Sequence, residues 1–182
     1  MRFLILFIFL ITNVVADELP EIKNIVIHKD LKTYDNLIFL DKKDKKIDIK
    51  NFSGNLVLMN FWATWCAPCV TEMPSLDKLA VRLHTKGLIV VAVSQDLNEL
   101  SKVKSFLKPM MLEEIVIWYD EKNKGFRELG LRGLPTTILI NPDGLMVAKL
   151  EGSAEWNEGP LLAQIEEIIK KRDFENIKSA LK

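Results

Sequence analysis

NFWATWCAPC, from Asn60 to Cys69, is the stretch that decides the fold of this 182-residue chain. It begins inside an apolar run over 56–61 that predicts a strand, and it leads into a segment with helical spacing that ends at Gly87. A second apolar run, LIVVAV at 88–93, is typical of a parallel strand covered on both faces. Strand, helix and strand in this order predict a βαβ unit with neighbouring strands, and the CxxC lies at the start of its helix.

The chain has two cysteines, and both belong to this CxxC, at Cys66 and Cys69. A disulfide between them closes so small a loop that it constrains little of the unfolded chain, so a structural staple is not the natural interpretation. A helix start offers unpaired N–H groups and the positive end of the helix dipole, which stabilise a thiolate on the first cysteine. Cys66 is therefore the candidate nucleophile and Cys69 the candidate resolving thiol. Pro68, in the first turn, costs no helical hydrogen bond.

Other uses of a CxxC need further residues that are not found beside it. A zinc or copper site takes additional soft ligands, and the only histidines, His28 and His84, are remote in sequence. Covalent haem attachment requires a histidine after the second cysteine, where Val70 stands. We therefore expect no metal and no organic cofactor, only a redox-active disulfide. A copper-binding assembly module that uses Cys66, Cys69 and a methionine is the alternative from a different class of protein.

The first sixteen residues have the layout of a secretory signal peptide. Arg2 supplies the positive start, residues 3–11 are apolar, and residues of small or modest size at 14–16 precede the acidic Asp17. The apolar run is shorter than the roughly 20 residues that a spanning helix needs. An uncleaved membrane anchor is the alternative interpretation. In either case we expect the protein in the periplasm or another extracytoplasmic space, secreted or anchored by this segment.

The rest of the chain is predicted to hold an N-terminal extension over 17–36 and one domain over 37–182. Hydrophobic residues make up 48% and charged residues 27%, and Lys+Arg and Asp+Glu are both 25, so the charge gives no reason to expect nucleic-acid binding. A basic run at 42–46 lies between short strand patterns at 37–40 and 47–49, which predicts a hairpin. Together with the βαβ unit, the remaining pattern predicts an α/β fold, with helices and strands at 98–107, 115–118, 122–129, 136–140, 145–150 and 161–169.

Three motifs in this chain resemble the thioredoxin superfamily. WCAPC at 65–69 matches a WCxPC active site, Pro74 falls where family members kink the active-site helix, and GLPT at 133–136 matches the loop whose cis-proline faces the disulfide. The resemblance implies a thioredoxin-like fold, a central mixed sheet flanked by helices, here with an N-terminal β-hairpin extension. It also implies that the substrate chain binds beside the disulfide, at Trp65, Ala67, Pro68, Leu134 and Pro135.

Within the superfamily, the chain is most similar to the exported TlpA/ResA branch over residues 37–152. The leader, the hairpin, NFWATWC, GLPTT and INPDG carry this similarity. Cytoplasmic thioredoxins have a buried aspartate where this chain has Asn60, which cannot relay a proton. Glu72 is the candidate replacement as proton relay to Cys69, because residues i and i+3 share a helix face and ResA-like proteins use a glutamate there. The alternative for Glu72 is an exposed acid in the first turn, favoured by the helix dipole.

The predicted activity is thiol–disulfide exchange through a mixed disulfide on Cys66 that Cys69 releases. The resemblance implies a reductase of protein disulfides, kept reduced by a membrane thiol donor of the DsbD/CcdA type. Its targets would be those of cytochrome c or cytochrome oxidase assembly. The lack of a histidine between the cysteines also argues against a strongly oxidising protein. A disulfide oxidase or isomerase is the alternative within the same class of enzyme.

Overall fold

The computed structural model describes residues 25–33, 37–97 and 100–171, so the predicted leader at 1–16 lies outside the described residues. The described part contains eight strands and four α-helices. In chain order these are β1 Ile25–Thr33, β2 Ile38–Leu40, β3 Lys46–Asp48, β4 Leu56–Trp62, α1 Ala67–Leu83, β5 Leu88–Ser94, α2 Leu100–Leu107, β6 Val116–Tyr119, α3 Lys124–Glu128, β7 Thr136–Ile140, β8 Leu145–Glu151 and α4 Gly159–Lys171. Within those ranges, no helix combines the length and the apolar character that crossing a membrane requires.

All eight strands form one mixed sheet in the order β1-β8-β7-β4-β5-β6-β2-β3. The central strand β4 pairs in parallel with β5 and antiparallel with β7. Because every residue of β4 is buried, this strand reads as a continuous apolar run and not as an alternating pattern. The predicted βαβ unit β4-α1-β5 and the predicted mixed α/β sheet are confirmed. The segment that carries the CxxC leaves the carboxyl end of the central strand.

Successive side chains of β4 point to opposite faces of the sheet and enter two separate apolar clusters. Leu56, Leu58 and Trp62 pack in the cluster that contains α1 and α4. Val57 and Phe61 pack in the other cluster, with the hairpin and the residues around α3. By the same alternation Asn60 faces α1, so the one polar side chain of this strand points at the helix that carries the cysteines.

Helix α1 begins directly after Cys66 and runs for 17 residues. Pro68 lies in its first turn, where a missing N–H removes no helical hydrogen bond, and the helix continues through Pro74. A short 3-10 turn and then Gly87, whose φ of 93° suits a residue without a Cβ, lead the chain into β5. The predicted end of this helical segment at Gly87 is therefore confirmed.

Strands β2 and β3 form the predicted hairpin, with the basic run at its tip. The Asp41 carboxylate shapes this tip, because its Oδ1 accepts hydrogen bonds from the backbone N–H groups of Lys43 and Lys45 at 2.7 and 2.9 Å. A short side chain that binds backbone groups two and four residues ahead is a local turn signal. The lysines around it are exposed, as a solvated hairpin tip requires.

Two elements differ from the sequence prediction. The segment predicted only as an extension contains β1, which pairs antiparallel with β8 over Ile25↔Leu150 to Thr33↔Leu145. Its partner lies more than a hundred residues away along the chain, so no local pattern announces the pairing. The helix predicted over 122–129 is shorter, because Lys122 and Asn123 have φ values of 55° and 56°, which a right-handed helix does not accept.

Candidate active site

Cys66 and Cys69 are joined by a disulfide at the start of α1, with their Cα atoms 5.3 Å apart. Cys66 is the residue that precedes the helix, its backbone is extended at φ −92° and ψ 96°, and no side chain caps the first turn. Its exposed fraction is 6%, whereas that of Cys69 is 0%. Both cysteines are therefore buried, and of the two only Cys66 keeps a small exposed fraction.

The residues predicted to bind substrate lie in the two loops at one end of the sheet, the end that carries Cys66. Trp65 is 71% exposed, and Ala67 and Pro68 are exposed as well. The Leu134–Pro135 peptide bond is cis, as the resemblance implies, with Leu134 half-buried and Pro135 buried. Strand β7 starts immediately after this proline and pairs its first residue with the end of β4. The two loops therefore leave the sheet at the same edge.

A hydrogen-bonded clamp, not predicted from the sequence, holds the loop between β4 and Cys66. Thr64 donates its backbone N–H to Asp96 Oδ2 at 3.0 Å and its Oγ1 hydroxyl to Asp96 Oδ1 at 2.6 Å. Ser94 Oγ donates to Asp96 Oδ2 at 2.8 Å. Because β4 and β5 are parallel neighbours, their carboxyl ends meet at one edge. A Ser-x-Asp sequence directly after the second predicted strand was the available signal.

Glu72 lies in the interior behind the disulfide, with 4% of its surface exposed. Its Oε1 accepts a hydrogen bond from Asn60 Nδ2 at 2.9 Å. Its Oε2 accepts from the Ala154 backbone N–H at 2.9 Å and from Trp156 Nε1 at 3.0 Å. The alternative that Glu72 is an exposed acid is therefore wrong. It lies one turn beyond Cys69 on the same helix face, and both side chains are buried.

Burial raises the pKa of the Glu72 carboxyl, and the hydrogen bonds from Trp156, Ala154 and Asn60 oppose that effect without cancelling it. A carboxyl group with a raised pKa takes up and releases a proton closer to neutral pH than an exposed glutamate does. The transfer of a proton between Glu72 and Cys69 stays a prediction.

Asn60 connects this carboxylate to the sheet. Its Nδ2 donates both to Glu72 and to Thr137 Oγ1, each at 2.9 Å. Its buried Oδ1 has no hydrogen-bond partner among the described residues. Asn60 thus orients Glu72 and does not itself carry a proton. Sequence reasoning found Asn60 and Glu72 but missed their partners: Thr137 belongs to the GLPTT motif without having been given a role, and Ala154 and Trp156 lie in a distant segment with no motif.

Possible metal ligands are dispersed in the part of the chain that the structure describes. No group of three or more His, Cys, Asp and Glu side chains is close enough there to hold a metal ion. The ring of His84 instead lies 3.0 Å from the carbonyl oxygen of Val81, at the other end of α1 from the cysteines.

A thioredoxin-like mixed sheet with a CxxC disulfide where the central strand passes into its helix defines a thiol–disulfide oxidoreductase. Residues 15–165 match the family model described as Redoxin. The chain belongs to this family, as a TlpA/ResA-like member of the thioredoxin superfamily.

Relatives and solved structures agree with this assignment. The chain is 33% identical to the thiol-disulfide oxidoreductase ResA of Bacillus thuringiensis subsp. konkukian over 136 residues, which cover 75% of this chain and 74% of that protein. A Chlorobium tepidum structure assigned to the thiol:disulfide interchange protein DsbE has a TM-score of 0.68 and 26% identity, covering 77% of this chain and 98% of that chain. A thiol:disulfide interchange protein from Bacteroides sp. has a TM-score of 0.59 and 26% identity, covering 73% and 85%.

Proposed function

We propose that this protein is an extracytoplasmic reductase of protein disulfides, with Cys66 as the nucleophile, Cys69 as the resolving thiol and Glu72 as the proton relay. The observation that carries the proposal is the contrast between the two cysteines. Cys66 is 6% exposed and stands between the exposed Trp65 and Ala67, whereas Cys69 is fully buried on the helix face of Glu72. This contrast suits an exchange in which one sulfur meets the substrate and the other only completes the reaction.

The first step is attack of the Cys66 thiolate on one sulfur of a substrate disulfide. A mixed disulfide forms on Cys66 and the other substrate sulfur leaves as a thiolate. The uncapped first turn of α1 stabilises the attacking thiolate, because its N–H groups and the helix dipole favour negative charge there. The exposed Trp65 and the loop at Leu134 and Pro135 form the rim on which the substrate chain would lie.

In the second step Cys69 attacks the Cys66 sulfur of the mixed disulfide. The Cys66–Cys69 disulfide forms and the second substrate sulfur leaves, so two electrons have passed to the substrate. Cys69 must lose its proton before it attacks, and bulk water does not reach it. Glu72 accepts that proton, for which its raised pKa and its position one turn away are suited.

Reduction of the resulting disulfide requires an external thiol source. We infer a membrane thiol donor of the DsbD/CcdA type, and targets in cytochrome c or cytochrome oxidase assembly. The resemblance to the TlpA/ResA branch supports both. The pattern of a leader at residues 1–16 supports an extracytoplasmic location, secreted or anchored. The reaction as written needs no metal and no organic cofactor.

The reduction potential of the Cys66–Cys69 couple tests the direction of transfer. The protein without its predicted leader is equilibrated in thiol buffers of known potential, and the oxidised and reduced forms are quantified after alkylation. We expect a value near or below the roughly −270 mV of thioredoxin. A value near the roughly −120 mV of DsbA would mean that the protein donates disulfides, and would overturn the assignment as a reductase.

The substitution Glu72→Gln tests the proton relay, since it keeps the shape of the side chain but removes its ionisation. We expect the titration of the Cys69 thiol to change and its reaction with a mixed disulfide to slow by about a hundredfold. Asp77→Asn, a change to another buried acid on α1, is the matched control. An unchanged Cys69 titration in Glu72→Gln would exclude Glu72 as the relay.

A further inference from the structure

We propose that Trp156 is a positioning residue for the second half of the exchange, because its indole holds Glu72 in the state that receives the proton of Cys69. The inference rests on the proposed role of Glu72 and extends it to the segment after β8. Trp156 belongs to none of the motifs around the cysteines, and it follows Glu72 by 84 residues along the chain.

Trp156 is anchored to α1 at two points. Its Nε1 donates to Glu72 Oε2 at 3.0 Å, and its backbone N–H donates to Ser75 Oγ at 3.4 Å. Ser75 in turn donates its hydroxyl to the Glu72 carbonyl oxygen at 2.8 Å. With 2% of its surface exposed, Trp156 also closes the interior over this carboxylate. The contact is therefore built into the packing of the segment against the helix.

Among the described residues, each hydrogen-bond partner of the Glu72 carboxylate is an N–H donor. From β4 comes the Asn60 amide, and from the segment after β8 come the Ala154 backbone and the Trp156 indole. On its own helix Glu72 shares a face with Cys69, and no charged side chain is among the causes of its pKa shift. From β7 the Thr137 hydroxyl bonds to Asn60 and not to Glu72.

Neither the charged residue next to Trp156 nor helix α4 adds a further charge or donor at the Glu72 carboxylate. Glu155, next to Trp156 in sequence, is exposed to solvent. Helix α4 contributes apolar side chains beside Trp156, among them Leu161 and Ile165, around a cavity of about 30 Å³. The ionisation of Glu72 is thus decided by burial on one side and by these N–H donors on the other.

The Trp156 indole favours the ionised form of Glu72. An N–H group that points at a buried carboxylate oxygen stabilises the ionised form of the group. It does not stabilise the form in which that oxygen carries a proton. The Ala154 donor on the same oxygen belongs to the backbone, so Trp156 is the side chain through which the sequence controls this contact. Without it, burial would keep Glu72 protonated up to a higher pH, and Cys69 would lack its base.

The test follows the second half-reaction with the chromogenic disulfide DTNB. The reduced protein is mixed with one equivalent, and the release of the second coloured thiol reports the attack by Cys69. Its rate is measured against pH in the wild type and in Trp156→Phe. The variant should move the acid limb of the profile upwards by about one pH unit, the size expected for one lost hydrogen bond to a charged group. The first release, from Cys66, should keep its profile.

Two further variants separate a positioning role from a packing role. Trp118→Phe changes a buried tryptophan on the opposite face of the sheet, stacked on Phe39, and should leave the acid limb unmoved. Ser75→Ala removes the second anchor and should shift the limb in the same direction by less. It also serves as an independent test if Trp156→Phe does not fold. In a Glu72→Gln background, Trp156→Phe should shift nothing further.

The outcomes distinguish the positioning role of Trp156 from the proton relay by Glu72 on which it rests. If Glu72→Gln abolishes the acid limb and Trp156→Phe shifts it, the inference stands. If Glu72→Gln abolishes the limb but Trp156→Phe and Ser75→Ala leave it in place, the inference is overturned and the relay by Glu72 survives. If Glu72→Gln leaves the limb unchanged, the relay itself fails and the role of Trp156 fails with it.

Discussion

Cys66 and Cys69 are separated by two residues, yet Cys66 keeps 6% exposure before the helix, whereas Cys69 is fully buried inside its first turn. Cys66 lies before the helix with an extended backbone, beside the exposed Trp65. Cys69 lies inside the first turn with no exposed surface, on the same helix face as Glu72. Residues three apart within a helix share one face, so the separation depends on Cys66 standing outside the helical part. The comparison teaches that a single helical turn can place one cysteine at the edge of the site and the next in the interior, on the same helix face as a buried acid.

The largest expected effect comes from removing either sulfur. Cys66→Ser should abolish exchange with a disulfide peptide, because the remaining thiol is buried. Cys69→Ser should still attack and should then accumulate the mixed disulfide, since nothing resolves it. Mass spectrometry of the intact protein after incubation with the peptide measures both results. A stable adduct on Cys69 in the Cys66→Ser protein would contradict the division between the two cysteines.

A second prediction compares the two buried acids of α1. Asp77 accepts hydrogen bonds from the backbone N–H groups of Glu113, Glu114 and Ile115 at 2.9 to 3.1 Å, so it ties the loop before β6 to the helix. Asp77→Asn should lower the free energy of unfolding by about 2 kcal/mol, measured in urea, because donors are left without a full partner. It should leave the pH profile of Cys69 unchanged. A shift of that profile would show that Asp77 also acts on the exchange.

The pH dependence of stability sharpens the same comparison for Glu72. Burial raises its pKa in the folded state above the ordinary value of 4.5. Between the two pKa values the folded state binds a proton that the unfolded state has released, so the contribution of Glu72 to stability is complete below about pH 4.5 and is lost as the pH rises through the folded pKa. Urea unfolding across this interval should show that loss in the wild type. In Glu72→Gln this component should vanish; an identical slope in both proteins would contradict the burial effect.

The smallest predicted effect concerns the clamp on the loop that leads to Cys66. Thr64→Val removes the hydroxyl bond to Asp96 and keeps the shape of the side chain, and should cost about 1 kcal/mol of stability. Exchange at Cys66 should slow by a few fold while the Cys69 step is unaffected. Thr71→Val is the matched control, because its hydroxyl bonds only to a carbonyl of its own exposed helix turn. If both variants lost the same stability, the hydrogen bond between Thr64 and Asp96 would contribute no more than that of an exposed threonine.

Much of the fold and the central part of the site were predictable because their signals are local. The apolar runs of β4 and β5, the helical spacing between them and the CxxC at their junction all lie within about forty residues. The hairpin tip is likewise encoded where Asp41 binds its own neighbours. Glu72 was predicted as a candidate from its spacing to Cys69 and from the resemblance to ResA-like proteins, but the same position also suits an exposed acid.

The amino-acid sequence by itself determined the βαβ unit, the position of the disulfide at a helix start and the presence of an acid one turn beyond Cys69. Only the tertiary structure decided that Glu72 is buried, that Trp156 and Ala154 donate to it, and that β1 pairs with β8. The physical reason is the distance along the sequence between the interacting residues. A turn, a cap or a helix face is decided by residues a few positions apart, whereas a buried carboxylate finds its donors wherever packing closes the interior, here from more than eighty residues away.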